Sequence, residues 1–432
     1  MTKVTVRMYR HGLGDCHLVT LTNGGRDYRM LIDCGVILGT ANATEIMNGV
    51  MQSILTDTGG KVDLLVATHA HWDHVSGFVQ AKDLFEKLQA DEVWMGWTED
   101  PKDRMAVELH EGRAKALQLL QPAAARMHMT ADGRPTLLTT LLEFFGAAGG
   151  GATTVDAMEA VRGKKGAQVR YCDPNDDKPT EIAGFGARIY VLGPPRDVAA
   201  LKRMLPSKGS DETYDNAFRA VQANTMPAFS GLDQDQPFTG PYRIPIRDGK
   251  ELPFFQRRYW NQEDWRQIDN SWMEDATQFA LAFDSMVNNT SLVLALEVDE
   301  VGVFLFAADA QIGNWESWSA YTWKTASGRT VDAADLLSRS VLYKVGHHGS
   351  FNATLKEGGL DQMINLQVAL IPVFQDMAIK KNWGAIPLNT LVKALDKASA
   401  GRGYVLRSDE DASATAKSQG AVSTPAYFEV TF

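Results

Sequence analysis

Three histidines and one aspartate fall within six consecutive positions of this 432-residue chain. The run reads Thr68-His69-Ala70-His71-Trp72-Asp73-His74 and contains three of the nine histidines in the sequence. Buried polar side chains are costly unless they are paired, so ordinary packing does not favour such a cluster. Imidazole nitrogen and carboxylate oxygen are ligands that zinc takes in proteins, and manganese or iron can use the same set. The run therefore predicts a metal site.

The segment before this run predicts the element that positions it. Residues 61–67 are mostly aliphatic and β-branched, a pattern typical of a buried strand. His69 and His71 are two positions apart, so in an extended chain they project to the same side. The other two ligand-type residues follow where the chain must turn into a helix predicted over residues 78–88. In one interpretation, the run supplies two ligands to one metal and two to a neighbouring metal at the end of the strand. The alternative interpretation is a solvated, histidine-rich turn.

The pattern His69-x-His71-x-Asp73-His74 resembles the signature of the metallo-β-lactamase superfamily of metal-dependent hydrolases. Its other landmarks can be matched in order along the chain. Residues 31–35, Leu-Ile-Asp-Cys-Gly, resemble the motif whose aspartate supports the site from behind. Residues 304–311 resemble the strand that ends in a metal-bridging aspartate, and residues 345–350 resemble the last histidine-bearing motif. The resemblance implies an α/β fold, a four-layer αβ/βα metallo-β-lactamase sandwich, here with a large, mostly helical insertion.

Three further segments resemble one branch of this superfamily, the hydrolase domain of ComEC-type DNA-uptake proteins and their soluble relatives. They are the Arg-His-Gly-Leu-Gly-Asp-Cys opening at residues 10–16, the strand at residues 289–294, and the doubled histidine His347-His348. The match covers roughly residues 3–95, 185–195 and 285–410, and the long segment between is not matched.

The resemblance implies a centre of two metal ions, for which we expect Zn²⁺, with Mn²⁺ or Fe able to use the same ligands. His69 and His71 would hold the first metal, and Asp73 and His74 the second. Asp309 would bridge the two. Asp73 would also orient the attacking water and take its proton, which makes it the catalytic residue.

The remaining ligand would come from the doubled histidine. We expect His347 to bind metal and His348 to face substrate, although the sequence alone does not decide between them. Asp33 is expected to hydrogen bond to a ligand imidazole and fix its tautomer, with a turn cap as the competing interpretation. Lys381, in a segment that resembles a further motif of the superfamily, could contact a phosphate at the mouth of the site; the favoured alternative is a solvated pair with Lys380.

One element of the superfamily is not matched. Many relatives carry a separate histidine ligand between the first cluster and the bridging aspartate, whereas here only His110 and His128 occur between the two histidine motifs. Both lie in polar, helix-like stretches, and we interpret them as surface residues. Asn289 or Ser291 could face the metals in place of the missing histidine. Because amide and hydroxyl are weaker ligands than imidazole, the second metal is expected to bind loosely.

Composition limits the class of protein. Hydrophobic residues make up 44% and charged residues 22%, as in a globular protein. No apolar run approaches the roughly 18–20 residues of a membrane helix, and the start of the chain lacks a signal peptide's apolar core. With three cysteines and no Cys-x-x-Cys spacing, we expect a cytoplasmic protein without disulfides or membrane association. A net charge of -10 argues against a generally basic nucleic-acid binder, but not against a local basic stripe.

The chain is predicted to fall into five segments. Residues 1–98 and 281–432 form the two halves of the metallo-β-lactamase domain, and residues 181–197 contain a strand that returns to it. Residues 99–180 read as a helical insertion. Residues 198–280 read as an insertion or cap rich in arginine and aromatic residues.

This last segment has two interpretations. Arginine and aromatic side chains alternate in it, as in grooves that bind single-stranded nucleic acid. The same residue types dominate packed caps and subunit interfaces, which we favour here and which would bring a protein partner or a second copy of the chain. The residues are Tyr242, Arg243, Arg247, Phe254, Phe255, Arg257, Arg258, Tyr259, Trp260 and Trp265.

The function expected from the sequence is hydrolysis by a metal-activated water. The resemblance favours a phosphodiesterase or nuclease acting on nucleic acid or a nucleotide. Ester, lactone or β-lactam hydrolysis is the alternative within the superfamily. A metal-binding sensor or partner protein without catalytic activity is the alternative from another class.

Overall fold

Two β-sheets form the centre of the protein in a computed structural model, which describes residues 1–130, 137–146, 151–203, 246–261, 271–381, 383 and 386–432. Within these residues the first sheet has eight strands in the order β16-β17-β1-β2-β3-β4-β5-β6. Their bounds are β1 Lys3–Tyr9, β2 Cys16–Asn23, β3 Arg26–Cys34, β4 Lys61–Val66, β5 Gln89–Gly96, β6 Gln168–Cys172, β16 Val422–Ser423 and β17 Tyr427–Thr431.

The second sheet contains seven described strands in the order β15-β14-β13-β10-β9-β8-β7, and a small hairpin pairs β11 with β12. Their bounds are β7 Thr180–Ile182, β8 Ala187–Gly193, β9 Val293–Val298, β10 Gly302–Phe306, β11 Thr322–Lys324, β12 Thr330–Asp332, β13 Ser340–Lys344, β14 Val368–Ile371 and β15 Tyr404–Arg407.

The two sheets pack face to face through one apolar core. Ile32, Leu64 and Val66 come from the first sheet, and Leu294 and Phe304 come from the second; all are buried in the same cluster. Strands β3 to β6 run parallel, as do β10, β13, β14 and β15. Because the carboxyl ends of parallel strands meet at one edge, the loops after β3, β4, β10 and β13 are brought together.

Helices cover the outer faces of both sheets, so the architecture is a mixed α/β sandwich. The helix Ala43–Thr58 shows the pattern that causes this, since Met47, Val50, Met51 and Ile54 share one buried face. Over the first sheet lie the helices Ala43–Thr58, Trp72–Val75, Gly77–Gln80, Lys82–Phe85 and Thr154–Arg162. Over the second lie Arg104–Thr130, Leu137–Leu142, Ser271–Asn289, Ile312–Ser317, Ala333–Ser338, Gln375–Lys380 and Asn389–Ser399.

Shorter helices complete the described fold. They are the helices Val198–Leu201, Ile246–Glu251, Pro253–Phe255 and Ala414–Ser418, the π-helix Gln256–Trp260, and the 3₁₀ turns Trp97–Glu99, Glu143–Phe145, Trp318–Ala320, Gly346–Gly349 and Leu360–Gln362. The helix predicted over residues 78–88 is two short helices, because the backbone leaves the helical region at Ala81 (φ -104°, ψ 37°). Among the described residues, no helix has both the length and the apolar character needed to cross a membrane.

The predicted helical insertion at residues 99–180 ends earlier than expected. Its described part is helical to Arg162, but β6 then completes the first sheet and β7 begins the second. The sequence Gln-Val-Arg-Tyr-Cys of β6 lacks clear apolar alternation because it is an edge strand, and only Cys172 is fully buried. Pairing with β5, rather than local pattern, makes it a strand.

The predicted insertion at residues 198–280 is described only at residues 198–203, 246–261 and 271–280. The helix Ser271–Asn289 continues past residue 280 and packs Phe279 and Phe283 into the core under the second sheet. Tyr242, Arg243 and Trp265 lie outside the described residues, as does the side chain of Arg247. Phe254 is exposed and Arg257 Nε donates to Pro253 O, so these contacts leave both interpretations of the segment open.

A close backbone approach holds the histidine run against the end of β3. A Cβ atom on Gly35 would lie 2.5 Å from the carbonyl carbon of Asp73 and 2.6 Å from the backbone of His74. Gly14, on the other side, would place a Cβ 2.6 Å from Asp73 O. Contacts under 3 Å with backbone cannot be relieved by moving a side chain, so glycine is required at both positions.

We predict that Gly35→Ala destabilises the protein by about 1–3 kcal/mol, the usual cost of overpacking a close contact. Gly49→Ala is the matched control, because Gly49 lies in the helix Ala43–Thr58 with open space at its Cβ position. It should stabilise the protein by about 0.5–1 kcal/mol. The free energy of unfolding in urea, followed by circular dichroism, measures both; equal stability of the two variants would contradict the packing described for Gly35.

Candidate metal centre

The histidine run lies at the carboxyl end of β4 and is completely buried. His69, His71, Asp73 and His74 each have 0% exposure. The helix Trp72–Val75 begins directly after His71, whose carbonyl accepts from Val75 N. The backbone of the run is also bound from both sheets, because Leu292 N donates to the carbonyl of Thr68 and Asp15 N donates to that of Asp73. The two sheets together therefore fix the ligand-type side chains.

Two groups of buried residues could hold metal ions, and they share one carboxylate. His69, His71 and Asp309 form the first group. Asp309 also belongs to the second, with Asp15, His74 and His348. Within each group the candidate ligand atoms all lie within 4.8 Å of one another. The structure thus brings together six candidate ligands from four separate loops, and four of them are among the six ligands predicted from the sequence: His69, His71, His74 and Asp309.

Asp33 organises two of the imidazoles from behind. Its Oδ1 accepts from Thr68 N (2.8 Å), and its Oδ2 accepts from Thr68 Oγ1 (2.6 Å) and from His74 Nδ1 (2.8 Å). Thr68 Oγ1 in turn accepts from His69 Nδ1 (3.1 Å). Because both Nδ1 atoms are engaged as donors, the Nε2 atoms of His69 and His74 are left free to bind a metal. Asp33 therefore contacts one candidate ligand, His74, directly and another, His69, through Thr68.

The doubled histidine is arranged in the opposite way to our expectation. His348, not His347, belongs to a candidate ligand group. His348 Nδ1 donates to Pro372 O (2.6 Å), and its Nε2 lies 2.8 Å from Asp73 Oδ2 and 3.7 Å from Asp309 Oδ2.

His347 lies outside both groups and uses its two nitrogens elsewhere. Nδ1 is 2.7 Å from Ser350 Oγ, and Nε2 is 3.5 Å from Asn288 Nδ2. The backbone adopts positive φ at both histidines, 42° and 53°, so the chain turns between them. That turn decides which ring enters the site, and spacing along the sequence does not reveal it.

Asp73 lies beside the two groups rather than inside one. Its Oδ2 accepts from His348 Nε2, while its Oδ1 is buried without a hydrogen-bond partner among the described residues. Asp15 takes the place next to His74 at which Asp73 was expected. The expected pairing of Asp73 with His74 at one metal is therefore not the grouping in the structure, although Asp73 remains in contact with the site.

Asn289 does not face the metal groups, contrary to one of our expectations. Its Oδ1 accepts from Gln311 N and Asn314 N, and its Nδ2 donates to Leu201 O and Arg203 O. An amide with every polar atom engaged in joining loops has none left for a metal.

Ser291, the other residue considered for the missing histidine, has a different role. Its Oγ accepts from Asp309 N (3.2 Å). Ser291 therefore positions the shared carboxylate through its backbone, and no group of candidate ligands in the described structure contains it.

Three site residues were missed from the sequence: Asp15, Asp284 and Lys344. The Lys344 ammonium is buried, donates to Ala308 O (2.7 Å), lies 3.5 Å from Asp309 Oδ1 and pairs with Asp15. The available signal was a lysine at the end of the apolar strand β13. Lysine is almost never buried without an acidic partner, so its position predicts one. Asp15 stands in the opening motif at residues 10–16, which carried the resemblance without being assigned a role.

Asp284 reaches the site from the helix Ser271–Asn289. Its Oδ1 lies 3.7 Å from His71 Nε2, and its Oδ2 accepts from Asn288 Nδ2 (3.1 Å). Burial, together with the negative charges of Asp73 and Asp309, raises the pKa of Asp284 well above its usual value. The sequence around it has no metal-binding motif, so only the folded arrangement identifies it.

The electrostatics of the site fit a cation. Burial lowers the pKa of His71 to about 3, so its ring is neutral, the form that binds metals. Burial opposes charge on His74 as well, but Asp309, Asp15 and Asp33 outweigh it and raise its pKa well above the usual value. His74 Nε2 lies 3.1 Å from Asp309 Oδ2. Several other buried polar atoms have no hydrogen-bond partner among the described residues: His69 Nε2, His71 Nδ1 and Nε2, Asp15 Oδ1, Asp73 Oδ1 and Asp284 Oδ1. Such atoms are what a bound metal would satisfy.

An aromatic cap, the turn Glu143–Phe145, covers the first group. The rings of Phe144 and Phe145 lie 5.2 and 5.0 Å from the ring of His71. Phe144 also stacks on Trp383 at 4.7 Å. The cap excludes solvent from this side of the site, which strengthens electrostatic interactions inside it.

Lys381 connects the aromatic cap to the rest of the protein. Its Nζ pairs with the carboxylate of Glu143 and donates to Leu38 O (3.1 Å). It is 9% exposed, so the interpretation of Lys381 as half of a solvated pair is wrong. Packing of the cap on the core, which no local pattern predicts, buries it.

Comparison of the chain with protein-family models and with curated proteins finds no match. The assignment of a function therefore depends on the geometry of the site and on the motifs themselves.

Proposed function

We propose that this protein is a metal-dependent hydrolase of the metallo-β-lactamase type that cleaves phosphodiester bonds in nucleic acid or a nucleotide. The observation that carries the proposal is Asp309, a buried carboxylate common to two groups of candidate ligands. A carboxylate shared between two cations allows them to lie close together, as in two-metal hydrolases. A purely structural site is normally closed by four ligands around one ion.

The residues present fit two transition-metal ions. His69 and His71 would hold one, His74 and His348 the other, and Asp309 would contact both. When bound, two such ions lower the pKa of water towards neutrality and polarise a phosphoryl or carbonyl oxygen. Zinc suits this mixture of imidazole and carboxylate, and manganese or iron can also use it.

The side chains around these ligands have their own tasks. Asp33 holds two imidazoles in the tautomer that leaves Nε2 free. Asp73 has one oxygen on His348 Nε2 and the other without a partner among the described residues, and it would accept a proton from the attacking water. Lys344 offsets part of the charge of Asp15 and Asp309. The aromatic cap must move aside to admit substrate, since the ligands beneath it are completely buried.

The choice of phosphodiesters is supported by the resemblance to the ComEC-type branch. That resemblance lies in residues 10–16, in the strand after Asn289 and in the doubled histidine, and all three segments contribute contacts at the site. Esters, lactones and β-lactams are alternative substrates of the same chemistry. A non-catalytic metal-binding role would leave the unpaired oxygen of Asp73 without a function.

We predict that the purified protein binds two transition-metal ions per chain. Asp309→Asn should weaken both, because both groups contain Asp309. His348→Ala should weaken one, by more than the roughly 10–100-fold that loss of a supporting hydrogen bond costs. Elemental analysis after dialysis against decreasing free zinc gives the number of ions and their affinities.

His347→Ala is the matched control for this measurement, because His347 lies outside both groups and should leave the metal content unchanged. If His347→Ala removed a metal and His348→Ala did not, our assignment of the doubled histidine would be reversed. A protein that bound no metal would exclude the proposed function altogether.

We predict that the metal-loaded protein hydrolyses bis-p-nitrophenyl phosphate and cleaves DNA or RNA. Asp73→Ala should lower kcat by about 10²–10⁴-fold, the usual contribution of a positioned proton acceptor. His74→Ala should abolish activity together with binding of one metal. Initial rates at saturating metal, measured in parallel with a chromogenic lactam and an aryl ester, identify the preferred bond.

Faster turnover of the lactam or ester than of the phosphodiester would assign the alternative substrates. Activity that survives both substitutions would show that the reaction takes place elsewhere. Binding of two metals without hydrolysis of any of these substrates would favour the non-catalytic role.

A further inference from the structure

A carboxylate on an inserted helix faces the histidine run from across the site. Asp284 belongs to the helix Ser271–Asn289 and is 5% exposed. Asn288, one helical turn later, donates Nδ2 to its Oδ2 at 3.1 Å. The other oxygen, Oδ1, lies 3.7 Å from His71 Nε2 and has no hydrogen-bond partner among the described residues. One oxygen is thus held in place and the other is directed at the imidazole.

Polar atoms around Asp284 also lack hydrogen-bond partners. Within the described structure neither ring nitrogen of His71 has a hydrogen-bond partner, and neither does Asn288 Oδ1. A separation of 3.7 Å is too long for a hydrogen bond between Asp284 and His71. Buried polar groups are almost always hydrogen bonded. Several that face one another without hydrogen bonds therefore need an explanation.

We propose that Asp284 is a further protein ligand of the metal that His69, His71 and Asp309 would hold. The inference rests on the proposed two-metal centre. Ligands that each lie about 2.0–2.2 Å from one zinc ion are at most about 4.4 Å apart. The distance between Asp284 Oδ1 and His71 Nε2 meets this condition.

The carboxylate has to move a little to complete the site. Asp284 is not part of the group in which His69, His71 and Asp309 place their ligand atoms within 4.8 Å of one another. Under this proposal, Asp284 Oδ1 moves towards the other ligands by rotation about the side-chain bonds when the metal binds. The nearby aromatic rings of Phe145 and Phe283, which stack at 4.9 Å, keep the surroundings dry.

Charge supports a cation at this position rather than a simple ion pair. Among the described residues, no lysine or arginine lies within 4.0 Å of the Asp284 carboxylate, and its one basic contact in that range is His71. Asp73 and Asp309 are close enough to repel it. An isolated buried carboxylate beside two others is strongly unfavourable unless a positive charge compensates it.

The test compares Asp284→Ala, Asp284→Asn and Asp284→His with the unmodified protein. Each is loaded with Co²⁺, and two quantities are measured: ions bound per chain as free Co²⁺ is lowered, and the visible absorption spectrum, which reports the ligands around cobalt. We expect Asp284→Ala and Asp284→Asn to weaken one of the two ions by at least about tenfold. Asp284→His, which supplies an imidazole instead, should retain both ions with an altered spectrum.

Ser285→Ala is the matched control, because Ser285 is buried on the same helix and should leave binding and spectrum unchanged. Circular dichroism checks the fold of each variant; if Asp284→Ala does not fold, the near-isosteric Asp284→Asn and the histidine variant decide. Two ions bound with unchanged affinity and spectrum in the asparagine variant would overturn the inference, even if activity were lost. Absence of metal from the unmodified protein would instead refute the two-metal centre.

Discussion

An excess of buried negative charge is the constraint on which the rest of this structure depends. Asp15, Asp33, Asp73, Asp284 and Asp309 are all at most 5% exposed around one small volume. In the described structure Lys344 is the one lysine or arginine that pairs with any of them. Burying carboxylates without compensation costs several kcal/mol each, so the fold can keep them only with protons or metal ions between them. The imidazoles and the backbone around them are arranged to meet that requirement.

The backbone around the buried carboxylates and imidazoles is locally strained. Four of the non-glycine residues with positive φ among the described residues lie at the site: Asp33, Ala308, His347 and His348. Each follows or ends a strand, namely β3, β10 or β13, where the chain must turn sharply to aim a side chain inward. Strained conformations persist only when surrounding contacts fix them, and they concentrate at functional sites. Here the sandwich, with its apolar core between the sheets, supplies those contacts.

The features of the site that depend on residues close together in the sequence could be predicted from the sequence. The run from His69 to His74 and the strand before it are local patterns, whereas the sandwich was expected from the resemblance of several such motifs to one superfamily. The choice of His348 over His347 depends on two backbone angles in one turn. Asp284 and Lys344 depend on how a distant helix and strand pack. Lys381 was misread because the aromatic cap that buries it has no motif of its own.

A carboxylate at position 284 would also influence which metal the site prefers. A centre in which a carboxylate takes the place of an imidazole has more oxygen and less nitrogen around its first metal. Oxygen ligands favour harder cations such as manganese, whereas imidazole suits zinc and iron. An added carboxylate also lowers the net charge of the centre, which weakens its pull on the electrons of a substrate oxygen while holding the ion more firmly. As a ligand, Asp284 would affect both how firmly the first metal is held and how strongly that metal polarises a substrate oxygen.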